Sequence, residues 1–138
     1  MKPILKLWTF VAIAAAGLAL MAGCGNDNNT LSPQFQPEIM NNPDNFQFQA
    51  TGVTNVTQTL NYSWTNTGTA ANVDQSCAIT QGGATIQIRD NQGTLVYDRT
   101  LADGGTYATS TGMAGTWTIR VILNDVDGTL NFRAQKVT

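Results

Sequence analysis

From Phe46 onward, apolar and polar residues alternate with a period of two. "FQFQA" (46–50) sets Phe46, Phe48 and Ala50 against Gln47 and Gln49. "LNYSW" (60–64) sets Leu60, Tyr62 and Trp64 against Asn61 and Ser63. "VDQSCAI" (73–79) puts Val73, Cys77 and Ile79 on one side, and "ATIQIRD" (84–90) does the same with Ala84, Ile86 and Ile88. "TLVYDR" follows a turn at Asn91-Gln92-Gly93, and "TYATS" is a weaker stretch. "TWTIRVIL" aligns Trp117, Ile119, Val121 and Leu123, and "TLNFRA" aligns Leu130, Phe132 and Ala134. Such alternation predicts about eight short strands, each with one wet and one buried face. Antiparallel sheets have that character, and two of them packed face to face form a sandwich. No helical period occurs in this region. The expected fold is therefore all-β: a single antiparallel β-sandwich, jelly-roll or Ig-like, over residues 46–138.

Upstream the pattern changes twice. Residues 25–45, "GNDNNTLSPQFQPEIMNNPDN", hold six Asn and three Pro and few strand formers. Together with Cys24 they read as a flexible tether over 24–45, about 25 Å in mean span. Leu31, Phe35, Ile39 and Met40 are its only groups suited to docking on the domain. Before the tether, Lys2 and Lys6 precede an uncharged run, residues 7–23, rich in Ala, Leu and Val. A positive start, a short apolar run and small residues at its end are the order of a secretory leader, here residues 1–23.

The seam itself, Met21-Ala22-Gly23-Cys24, resembles the lipobox of bacterial lipoproteins, with Met21 where that family usually has Leu. The resemblance implies a diacylglycerol on the Cys24 sulfur, cleavage before Cys24 and often acylation (for example with palmitate) of the freed amine. Two or more acyl chains anchor stably, at about 0.8 kcal/mol per buried CH₂. The implied partner is a membrane, held through Cys24 without a spanning helix. Gly25 follows the cysteine rather than the Asp associated with inner-membrane retention, so the resemblance favours the outer membrane, on either face, of an organism that has one.

Composition narrows the function. Residues 24–138 keep five basic side chains, Arg89, Arg99, Arg120, Arg133 and Lys136, against nine acidic ones. A net charge of −4 without a basic cluster argues against a nucleic-acid partner. The 20 Thr, 13 Asn and 10 Gln of the chain do the solvating that charges usually do, as in secreted β-proteins. With Cys24 acylated, Cys77 has no partner within the chain, and its alternation with Val73 and Ile79 predicts burial.

Histidine is absent, which removes Ser-His-Asp and Cys-His catalysis and histidine metal sites. Carboxylate-pair chemistry would need convergent acids, but the one glutamate, Glu38, falls in the tether and the aspartates mostly flank turn glycines. No catalytic residue is expected. "NDVDG" (124–128) is the best metal candidate: Asp125 and Asp127 alternate before Gly128, as in calcium loops. The ligands fall short of six, so the preferred reading is a hairpin turn with Asp127-Gly128 as its central pair, and no cofactor. Tyr62, Trp64, Trp117 and Phe132 fall on apolar faces and read as core, whereas Tyr97 and Tyr107 are less constrained. Binding would then use loops 52–57, 66–72 or 100–114.

"GTWTIRVILNDVDGTLNF" (115–132) resembles the closing strands of convertase P-domains, and "IQIRDNQGTLVYD" (86–98) resembles a hairpin of bacterial pre-peptidase C-terminal domains. Both families are jelly-roll-like modules appended to secreted enzymes. No functional residue is carried over, because no protease domain is expected here for such a module to serve. The expectation is a lipid-anchored, non-enzymatic interaction or structural module of the cell envelope, with a protein partner there. The alternatives are a calcium-dependent carbohydrate or ligand binder, and a small hydrolase, which the lack of histidine opposes.

Overall fold

The computed structural model describes residues 30–138. Among the described residues a 3₁₀ turn, Pro33–Phe35, precedes seven strands: β1 (Glu38–Asn42), β2 (Asn45–Asn66), β3 (Ala71–Gln75), β4 (Ala78–Arg89), β5 (Leu95–Thr100), β6 (Gly105–Ala108) and β7 (Gly115–Lys136). All pairings are antiparallel. β7 is the axis. β2 runs along one side of it, while β3 and β4 share the other side end to end. β1, β6 and β5 are the outer strands, on β2, β3 and β4 respectively.

The fold is all-β, and it makes a sandwich by bending one sheet rather than stacking two. Phe46 and Tyr62 lie on the same 22-residue strand, sixteen positions apart. A straight strand would separate them by about 50 Å. Their ring centroids are 5.3 Å apart, and the Asp44 N–H donates to the Thr65 carbonyl at 2.8 Å. β2 therefore doubles back on itself, and β7 follows it. One layer holds β1, the first part of β2, the end of β7, β3 and β6. The other holds the end of β2, the start of β7, β4 and β5. The bend lies where the β2–β7 register shifts three times, between Ala50 and Gln58.

Between the layers sits the core that alternation marked out. Phe46, Phe48 and Phe132 stack in one part. Trp64 and Trp117, paired in register, meet edge to face at 5.9 Å in the other. Both tryptophans are buried, and each indole N–H has an acceptor: the Asn42 carbonyl for Trp64 and the Met113 carbonyl for Trp117.

Four expectations are corrected. Seven strands replace about eight, because 46–50 with 60–64, and 116–123 with 129–134, are parts of single bent strands. Asp127-Gly128 is therefore not a hairpin turn. It lies within β7, where positive φ at Asp125 (49°) and Gly128 (135°) makes bulges instead. These face positive-φ Gly52 and Asn55 in β2, so both strands kink together and pairing resumes beyond. "VDQSCAI" breaks at Ser76–Cys77, where the chain passes from β3 in one layer to β4 in the other. The second half of the expected tether belongs to the domain: the Leu31 N–H donates to Gln58 Oε1 at 2.8 Å, Phe35 is buried, and β1 pairs with β2 over its whole length. Asparagine and proline content hid a strand (β1) whose residues are all exposed and so carry no apolar alternation.

Candidate functional site

Outward-facing positions of the first layer gather polar side chains across five strands. Because Phe46, Phe48 and Ala50 point inward, Asn45, Gln47 and Gln49 point out. By the same alternation β7 contributes Asn131, Arg133 and Gln135, and β3 contributes Asn72 and Asp74. Register then lines up Met40, Gln47, Arg133, Asp74 and Thr106 in one row across the sheet. Four strand spacings of about 4.8 Å make that row roughly 19 Å long. Neighbouring rows carry Glu38, Gln49 and Asn131 on one side, and Asn42, Asn45, Gln135 and Asn72 on the other.

This face is built of amides. Its charged members are Glu38 at the rim and the pair Arg133–Asp74, whose Nη2 and Oδ2 are 3.3 Å apart. Asp74 also accepts a hydrogen bond from the Thr106 hydroxyl. Among the described residues, the side-chain amides of Gln47, Gln49, Asn131 and Gln135 have no hydrogen-bond partner. Asn45 Oδ1, at the head of the face, is buried without a hydrogen-bond partner among the described residues. Such an acceptor costs about 1–3 kcal/mol unless something supplies a proton to it.

Two depressions open on the face and share Gln47. One, about 370 Å³, is lined by Gln47, Asn131, Arg133, Asp74, Ser76 and Thr106. The other, about 430 Å³, lies at the outer strand among Glu38, Ile39, Met40 and Gln47. The opposite outer face, on the second layer, differs in kind. It presents Thr59, Thr65, Thr85, Thr116 and Thr118, and its Gln87 amide is engaged by Asp98 at 3.3 Å.

The residues singled out in the sequence scatter elsewhere. Cys24 lies outside the described residues. Asp127 sits at the bend, where its Oδ1 accepts the Asn55 N–H at 2.6 Å. The Asp125 N–H is bound by the Thr57 hydroxyl, 2.9 Å away. Among the described residues no three His, Cys, Asp or Glu side chains gather as a metal site would require. Loop 52–57 is part of bulged β2, and loop 100–114 contains β6. A third depression, about 500 Å³, lies at that bend beside Gln34, Phe35, Gly52 and Asn55.

Tyr97 is not loosely held. It is buried, its hydroxyl donates to Gln75 Oε1 at 2.6 Å, and burial pushes its pKa up to about 12. The Gln75 amide nitrogen in turn reaches the Thr100 and Asp103 carbonyls, tying β3 to the far layer. Tyr107 lies under the Arg99 guanidinium, 3.7 Å from ring centroid to Cζ. Cys77 is half-buried in the β3–β4 link rather than on a strand beside Val73 and Ile79. Burial raises its thiol pKa, against the pull of the Asn131 and Ser76 backbone N–H groups.

The amide face was visible in the sequence only as outward positions of separate strands. Register brings those positions together, and it is set by contacts between residues up to ninety positions apart, as Asn45 and Gln135 show.

No protein-family model and no curated protein matches the chain. Among the described residues no helix is long and apolar enough to cross a membrane.

Proposed function

We propose that this protein is a lipid-anchored, non-enzymatic module of the bacterial cell envelope, acting by binding or by structural support. The observation that carries the reading is Cys24 at the seam between an uncharged apolar run and a polar stretch, after Ala22-Gly23. The position of the first docked residue supports it. Leu31 follows Cys24 by seven residues, a length of chain that can span at most about 25 Å. The bend of the sheet, beside Phe35 and Gly52, is then the end nearest the membrane.

A non-catalytic role agrees with how the aspartates are used. Asp44 binds the Thr67 N–H and hydroxyl and pairs with Lys136 at 3.0 Å. Asp103 pairs with Arg99, Asp74 with Arg133, and Asp90 and Asp127 hold backbone N–H groups. Each is spent on local structure. Cys24→Ser tests the anchor: detergent partitioning with fatty-acid labelling should show a labelled, detergent-phase wild type and an unlabelled variant. An unlabelled, water-soluble wild type would sink the reading.

Calcium dependence is not part of this proposal. Asp127 is committed to Asn55, and Asp125 has positive φ on an exposed bulge. A site saturated at a hundred times its dissociation constant would add about 2.7 kcal/mol. The melting temperature is expected to be the same in EDTA and in millimolar calcium, for wild type and for Asp127→Asn. A rise in calcium that the variant loses would instead promote a calcium-dependent binder.

A further inference from the structure

We propose that the amide face of the first layer is a binding site for an uncharged polysaccharide, independent of calcium. Gln47, Gln49, Asn131 and Gln135 each present an unengaged donor and acceptor on one planar group. A sugar hydroxyl is likewise donor and acceptor, and neighbouring hydroxyls on a ring present the two together, so amides match them in pairs. Beside the amides, Arg133, oriented by its pair with Asp74, offers its remaining planar N–H donors.

Charge excludes other occupants. A nucleic acid or anionic polymer would need a basic stripe, and Arg133 is already paired with Asp74. An acyl chain or amphipathic helix would need an apolar groove, whereas Met40 is the one large apolar side chain in the row. A neutral, hydroxyl-rich chain meets neither obstacle. The row from Met40 to Thr106, with depressions of about 370 and 430 Å³ meeting at Gln47, suits an extended ligand. Both volumes fall in the range of ligand sites, about 300–1,000 Å³.

The proposal stands apart from the anchor, since it concerns the domain's face and not Cys24. Its test observes the amides directly. Side-chain NH₂ resonances of the ¹⁵N-labelled full chain in detergent would be followed while malto-, cello-, manno- and xylo-oligosaccharides, and in a separate titration an anionic oligogalacturonate, are added to millimolar levels. At least one of the four neutral series should shift Gln47, Gln49 and Asn131 together, equally in EDTA and in calcium. Gln47→Ala and Asn131→Ala should each weaken that binding about tenfold or more. Asn61→Ala, on the opposite face, should leave it unchanged and serves as the control.

Four results would overturn the proposal. These are no amide shift with any of the four series, shifts confined to the threonine face, a response to an anionic glycan alone, or amide shifts that follow protein concentration without sugar. The last would make the face a contact between copies of this chain.

Discussion

Asp90 shows how one side chain joins two loops. Its Oδ1 accepts the Gln92 and Thr94 N–H groups, both at 2.9 Å, and its Oδ2 accepts the Met113 N–H at 2.8 Å. The Met113 carbonyl then takes the Trp117 indole N–H at 2.7 Å. Those bonds favour the carboxylate. The Met113 N–H lowers its pKa most, against desolvation, and the Thr94 and Gln92 N–H groups add to it. A pKa lowered in the folded state contributes stability that is fully present above the ordinary value of 3.8 and is lost as pH falls through the lowered one. Urea midpoints of wild type and Asp90→Asn, taken from neutral pH downward, should differ most at neutral pH and converge in acid. A gap that stays constant with pH would remove the carboxylate from this role. The turn at Asn91-Gln92-Gly93 was readable in the sequence, because Asn and Gly favour it locally. The bond to Met113, twenty-three positions away, was not.

Among the strands, the bend of β2 and β7 decides the architecture, and two glycines allow it. At Gly128, with φ of 135°, a Cβ would sit 2.0 Å from the Ala78 carbonyl oxygen. At Gly82, with φ of 68°, it would sit 2.0 Å from the Asp125 carbonyl oxygen. Gly83, next along, has nothing within 4 Å of that position. Gly128→Ala adds backbone strain to overpacking and should cost on the order of 2–4 kcal/mol. Gly83→Ala should change stability by about 0.5 kcal/mol or less. Chemical denaturation of the two variants checks both, and equal costs would mean that β7 is not pinned against β4 at Gly128. "NDVDG" was legible as a place where the backbone turns, since Asp and Gly tolerate positive φ. Whether such residues make a hairpin or a bulge depends on the partner. Here Gly52 and Asn55 in β2 supply facing positive-φ positions, so pairing continues through the kink.

At the level of the whole molecule, β2 and β7 run through both layers, so opening one layer strips the other of the continuation of its two longest strands. The Gln75–Tyr97 bond and the Thr109–Ala71 bonds fasten the outer strands as well. Unfolding is expected to be two-state. In a urea titration, near-ultraviolet circular dichroism of the Trp64–Trp117 pair reports the second layer. Modification of Cys77, read by mass spectrometry, reports the link between layers. The two midpoints should coincide, and thiol exposure at lower urea would show that the first layer opens separately.

The class of fold, the inward residues and the candidate anchor at Cys24 rest on the sequence alone. A two-residue alternation states which side chains avoid water, and a charge-and-apolar order is a linear signal; neither needs a partner to be read. Strand number, the place of β1 in the domain and the bulged bend were decided by tertiary pairing, because an extended segment is completed only by the strand beside it. The amide face belongs to the same category. Gln47, Asn131, Arg133 and Asp74 are ordinary surface residues in the chain, and only the register of β2, β7 and β3 sets them side by side.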